Sequence, residues 1–164
     1  MSASALPSFY KISEVELVYK TKIKASERPS VTCSQDAYNI LLQQWDANKL
    51  CMVEQFKVLL LNNANKVLGI SDISTGGVSS TVADPRIVFA TALKANASKI
   101  ILAHNHPSGN LQPSQADKEL TSKMREGGRF LDLQVLDHII VTNEGYYSFG
   151  DQGAFYPAVP EAPF

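Results

Sequence analysis

The chain has 164 residues, a formal net charge of −1, 45% hydrophobic and 19% charged side chains. This is the size and balance of one ordinary globular domain with its own core, and it excludes a global basic field that would draw the molecule to nucleic acid. No apolar run approaches the ~18 residues of a membrane helix, and the N-terminal residues show no basic-then-apolar leader pattern. Cys33 and Cys51 form no Cys-x-x-Cys and read as free thiols of a reducing compartment. A cytoplasmic protein with no membrane partner is expected.

Taken in order, residues 1–10 read as a loose tail, 11–150 as a single domain and 151–164 as a Pro- and Ala-rich tail. Ile12 to Ala25 alternates, with Val15, Leu17, Tyr19, Thr21 and Ile23 on one face and Glu14, Glu16, Lys20, Lys22 and Lys24 on the other. That pattern predicts a half-buried edge strand. Ser34 opens a predicted helix, Gln35 to Asp46, whose apolar stripe is Tyr38, Leu41, Leu42 and Trp45. Trp45 reads as core packing.

Val53 to Leu61 predicts the next strand. Gln55 and Lys57 mark a polar face, and Phe56, Val58 and Leu60 an apolar one. By the period of two, Glu54 falls on the apolar face. A carboxylate there is costly without a partner such as a metal-associated water. The alternative is that Glu54 lies at the strand's frayed start and reaches solvent. An Asn-rich turn, 62–66, leads to a returning strand, Val67 to Ile73, so the pair predicts a hairpin. The loop 74–83 contains Gly76-Gly77 but no phosphate-cradling Gly-x4-Gly-Lys-Ser/Thr. It reads as a connector, or as a rim that shapes access. Asp84-Pro85 is a strong helix start, and that helix runs to Asn96.

Then come a buried strand, Ser98 to Ala103, the polar stretch that follows it, and a helix from Ser114 to Glu126 that ends at Gly127-Gly128. A further strand is predicted from Phe130 to Val141, with Leu131, Leu133, Val135 and Asp137 on one face. A short last strand, Tyr146 to Phe149, returns through the turn Asn143-Glu144-Gly145. Strands and helices alternate, which predicts an α/β fold.

The chemistry concentrates between the Ser98–Ala103 strand and the helix after it. His104 and His106 are two apart at a strand end, so both can aim at one point. Pro107, Gly109 and Pro113 turn the chain. Ser114 and Asp117 are three apart on the following helix and share a face. Two imidazoles and one carboxylate make a three-residue donor set that suits a catalytic zinc with its fourth position open. Ser114-Gln-Ala-Asp117 also matches a helix-capping signature, in which Ser114 caps and Asp117 sits in the first turn. Both readings can hold at once, since a first-turn carboxylate keeps a second oxygen. His104-Asn105-His106 spells the name of the HNH nucleases, but their name-giving residues are dispersed along the chain, so that match is rejected.

The pattern His104-x-His106, seven residues, Ser114, two residues, Asp117 resembles the JAMM motif of the JAB/MPN metalloproteases. The longer words Ala103-His104-Asn105-His106-Pro107-Ser108-Gly109 and Pro113-Ser114-Gln115-Ala116-Asp117 are similar to the RadC branch. So are Asp84-Pro85-Arg86, Asn96-Ala97 and Leu136-Asp137-His138-Ile139-Ile140-Val141. The resemblance runs from about Val53 to Phe149. It implies a curved mixed β-sheet flanked by helices. It also implies zinc held by His104, His106 and Asp117, and Glu54 as general base, since Glu54-Gln55-Phe56 matches the branch's early-strand Glu. Ser114 would stabilise an oxyanion. His138 belongs to the RadC-like word but not to the ligand pattern and reads as structural or supporting.

The activity this implies is hydrolysis of a peptide or isopeptide amide in a peptide or protein substrate. The alternative is a DNA-repair-associated accessory protein without proteolysis. The residues before Glu54 read as a strand and a helix rather than a nucleic-acid-binding segment, and the near-neutral charge argues the same way. A zinc deaminase is excluded by the missing His-x-Glu and Pro-Cys-x-x-Cys words.

Overall fold

A computed structural model describes residues 21–77 and 82–155. The expected tail 1–10, residues 156–164 of the expected tail 151–164 and most of the expected strand at Ile12–Ala25 lie outside the described residues, while 151–155 form a turn. The part of that strand within them, residues 21–25, is not strand; a short 3-10 turn, Ala25–Glu27, takes its end.

The elements then run α1 (Ser34–Gln44), α2 (Ala47–Leu50), β1 (Gln55–Leu61), β2 (Val67–Thr75), α3 (Pro85–Lys94), β3 (Lys99–Asn105), α4 (Gln115–Phe130), β4 (Gln134–Val141) and β5 (Tyr146–Ser148). They form an α/β fold with one mixed sheet of order β2-β1-β3-β4-β5. The hairpin β1–β2 is antiparallel, as expected, and β1–β3 is antiparallel too. The pair β3–β4 is parallel, and α4 provides the crossover that a parallel pair requires.

Both faces of the sheet are covered. Leu59, Leu61, Ile101, Ala103, Ile139 and Val141 pack against Ala37, Tyr38 and Leu41 of α1 and against Trp45. Phe56, Val58, Leu60, Ile100, Leu102 and Val135 pack on the other side against Val88 and Ala92 of α3 and Met124 of α4. Each large apolar side chain so buried contributes about 1.5–3 kcal/mol. This double cover corrects the reading of Gln55 and Lys57 as a polar face. Every residue of β1 is buried. Lys57 lies over the Trp45 ring, 4.9 Å from its centroid, and its ammonium pairs with Asp72 on β2. The charge sits in the core layer because Asp72 and the indole face satisfy it.

Two further expectations are corrected. Gly127-Gly128 does not end α4, which continues to Phe130. These glycines are there for close approach: a Cβ on Gly127 would sit 2.8 Å from the Phe89 ring of α3, and one on Gly128 would fall on the Leu133 carbonyl. Gly128→Ala is therefore expected to destabilise the fold by about 1–3 kcal/mol, read as a lower denaturant midpoint. An unchanged midpoint would contradict that packing. Nor does β4 begin at Phe130, which is 91% exposed; Asp132, with φ 51°, turns the chain first. Leu133 and Val135 then reach the α3–α4 core. At Leu136 the β3–β4 register slips, so the alternation reverses. Ile139 and Val141 face α1, and His138 turns to the α4 side.

Candidate metal centre

The phase of the sheet builds the centre. Ile100 and Leu102 face α3 and α4, so His104, two residues further along, faces the same side at the strand's end. Phe56 on β1 is paired with His104 in register and stacks on its ring, 6.1 Å between centroids and 5° between planes. His106 follows in the loop, where its Nδ1 lies 2.5 Å from the Asn110 carbonyl and so must donate to it. This leaves Nε2 of His106 to turn inward.

The helix α4 supplies the third group. The Ser114 hydroxyl accepts from the Asp117 amide at 3.1 Å, and Asp117 Oδ2 accepts from the Ser114 amide at 2.7 Å. This reciprocal cap is the helix start expected from the sequence, and it fixes the carboxylate's rotamer. Asp117 Oδ1 then lies 3.2 Å from His104 Nε2. His106 Nε2 is 3.0 Å from His104 Nε2 and 3.7 Å from Asp117 Oδ2.

The donor atoms of His104, His106 and Asp117 all lie within 4.8 Å of one another. Three donors around a tetrahedral zinc, each about 2.0–2.2 Å from the ion, stand about 3.3 Å apart. The spacing and the N/N/O donor set fit that ion. His104 is almost wholly buried, while His106 and Asp117 keep 15% and 13% of their side-chain surface. The cluster is thus open on one side.

Glu54 stands at the same end of the sheet and is half-buried. Its amide donates to the Gly77 carbonyl at 3.1 Å, and its carbonyl accepts from the Gly76 amide at 2.8 Å. Those bonds carry the hairpin past the end of β1, so the main chain at Glu54 is paired, not frayed as the alternative reading had it. By the period of two, Glu54 shares the face of Phe56, which pairs with His104, and its charge adds to the field at His106. For Ser114 the structure gives the capping contact, which uses an oxygen lone pair and leaves the hydroxyl proton to donate.

Electrostatics binds the cluster together. The Asp117 hydrogen bond raises the His106 pKa, with burial opposing it and the Asn110 carbonyl assisting. Burial works against the Asp117 carboxylate, but hydrogen bonds from His104 and His106 outweigh it and hold the acid well below the usual range. A depressed acid contributes stability above its unfolded pKa of about 3.9 and loses it as pH falls through the folded value. A raised imidazole contributes fully below about 6.5 and loses it as pH rises through the folded value. Burial holds the His138 imidazole well below its usual range, so stability also falls as pH drops below about 6.5. The metal-free chain is thus expected to melt highest near about pH 6.5 in chelator, with zinc moving the optimum upward, because zinc takes neutral imidazole. A melting temperature unaffected by pH and zinc would contradict the coupling.

Two residues that support the centre were missed in the sequence. Asn105, between the histidines, points to the opposite face and is fully buried. It accepts from the Gln55 amide at 2.7 Å and donates to the Leu50 and Val53 carbonyls at 2.7 and 2.9 Å. Both chain neighbours of Glu54 are therefore tied to the strand that carries the histidines. Asn105→Ala would strand three main-chain groups, at about 1–3 kcal/mol for each one left buried. A loss of several kcal/mol in a denaturant titration is expected, and a loss under about 1 kcal/mol would contradict the clamp. The second is Thr121, whose hydroxyl meets His138 at 2.6 Å.

A family model described as the RadC-like JAB domain matches residues 31–154. The chain belongs to the RadC-like JAB domain family. A UPF0758 protein of Flavobacterium johnsoniae is 42% identical to this RadC-like domain over 94% of the chain and 71% of its own length. A UPF0758 protein of Caldanaerobacter subterraneus is 40% identical over 75% of this chain and 55% of its own. One of Rubrobacter xylanophilus is 46% identical over 61% of this chain and 44% of its own. The chain thus spans about half the length of several relatives that it matches. Among the described residues, no helix of this RadC-like domain is long and apolar enough to cross a membrane. Cys33 and Cys51 are both free and exposed.

Proposed function

We propose that this RadC-like domain is a zinc-dependent hydrolase that cleaves an amide, peptide or isopeptide, in a peptide or protein substrate. The observation that carries this reading is the convergence of His104 Nε2, His106 Nε2 and a carboxylate oxygen of Asp117 at the open end of the sheet that also holds Glu54. A zinc ion, when bound, supplies a Lewis acid and a water acidified to a pKa of roughly 7.

The chain's own groups do the rest. Both imidazoles offer Nε2 because each Nδ1 is engaged elsewhere. Asp117 offers Oδ1 while Oδ2 stays on the helix cap. Glu54 takes a proton from the attacking water and returns it to the departing amine. Ser114 donates its hydroxyl proton to the oxygen that gains charge, a bond worth roughly 3 kcal/mol in the transition state. The support for Ser114 is its place beside Asp117 and its unspent proton.

The test is a peptide library incubated with zinc-loaded protein and followed by mass spectrometry, with chelated protein beside it. Cleavage that chelation stops and zinc restores is the expected result. No cleavage of linear or isopeptide-linked substrates, with a salt-sensitive shift of a DNA probe instead, would favour the accessory-protein reading.

A further inference from the structure

His138 and Thr121 are buried beside the centre, and neither belongs to the donor set itself. The slip at Leu136 turns His138 toward α4, where it stacks on Phe149 at 4.9 Å and 10°. Its Nε2 lies 2.8 Å from Nδ1 of His104, and its Nδ1 lies 2.6 Å from the Thr121 hydroxyl oxygen. That hydroxyl is also 2.6 Å from the main-chain carbonyl oxygen of Asp117.

These contacts have one consistent direction. A carbonyl oxygen can only accept, and two oxygens so close need a proton between them. The single hydroxyl proton of Thr121 is therefore spent on the Asp117 carbonyl. Its oxygen must then accept from Nδ1–H of His138. With its proton on Nδ1, neutral His138 has a bare Nε2, which accepts from Nδ1–H of His104. Neutral His104 is left with a bare Nε2, the atom facing His106 and Asp117, and it gives Asp117 a hydrogen bond there only when it carries a second proton.

We propose that Thr121 and His138 are positioning residues that hold His104 in the Nδ1–H tautomer and so present its Nε2 lone pair to the metal site. The ordering starts at the carbonyl of one ligand residue, Asp117, and ends at the ring of another, His104. Removing the Thr121 oxygen frees His138 to place its proton on Nε2. It would then meet Nδ1–H of His104 donor against donor, and His104 would move its own proton to Nε2, where it blocks coordination. The ligand role of His104 rests on the metal reading above; the tautomer does not.

The experiment has two arms. Long-range 1H–15N correlation of the imidazole rings in metal-free wild type, at mildly alkaline pH, reads the tautomers directly. His104 and His138 are both expected to be protonated at Nδ1, and a proton on Nε2 of His104 would overturn the proposal. Zinc affinity by chelator competition is then compared for wild type, Thr121→Ser and Thr121→Val. The serine variant keeps the hydroxyl and is expected to match wild type. The valine variant keeps the shape and is expected to bind about 10–100-fold more weakly, with His104 gaining protonation at Nε2. Equal affinity for valine and wild type, or equal weakening by serine and valine, would overturn it. Wild type that takes up no zinc would sink the metal reading, and the ring correlations would then decide the tautomers alone.

Discussion

Asp117→Asn protein is expected to purify without zinc from conditions in which wild type carries about one ion per chain. The substitution isolates the charge from the fold. An asparagine oxygen can still accept from the Ser114 amide, so the start of α4 keeps its cap, whereas Asp117→Ala loses about 1 kcal/mol of capping as well. What disappears in both is the anionic oxygen that faces His104 Nε2 at 3.2 Å. One of the three proposed donors is lost, so the drop in affinity should exceed the roughly 100-fold that loss of an outer hydrogen bond costs. Metal analysis after dialysis, with circular dichroism to confirm the fold, reads the result. Equal metal content in wild type and Asp117→Asn would show that the carboxylate is not a ligand.

Glu54→Gln is expected to do the reverse: full zinc, with amide hydrolysis lower by about 100- to 10,000-fold. Glutamine keeps the shape and the main-chain bonds to Gly76 and Gly77, so the hairpin end stays in place. It cannot accept and return a proton. Glu54→Ala should likewise keep its metal. The rate on any substrate found in the library, set against zinc content, separates the roles. A Glu54→Gln protein that hydrolyses at the wild-type rate would remove Glu54 from the chemistry. One that loses its zinc would make Glu54 part of the ligand set.

The chain declared its α/β order because the strands and helices carry clear punctuation. Asp84-Pro85 starts α3, and the Asn-rich turn joins β1 to β2. His104, His106 and Asp117 were legible as a group because each lies in a geometry that short-range rules describe: a strand end, a turn and a helix cap. The face that His138 takes and the role of Asn105 were not, although His138 did read as structural or supporting. The face of His138 depends on the register slip at Leu136, and a slip leaves no mark in an alternation that continues through it. Asn105 works on the far face of the histidine strand, against residues fifty positions earlier, and no local pattern links them. Lys57 misled in the other direction, since a lysine in an alternating strand marks solvent unless a partner across the sheet takes it in. Gly127-Gly128 looked like a helix stop because the neighbours that need their bareness, Phe89 and Leu133, are invisible along the helix itself.

Anomalous diffraction at the zinc edge from crystals grown with zinc tests the centre most directly. The expected result is one strong peak about 2.0–2.2 Å from His104 Nε2, His106 Nε2 and a carboxylate oxygen of Asp117, with Glu54 facing its open side. No peak among those three side chains, or an ion held through Nδ1 of His104 with His138 displaced, would contradict the account.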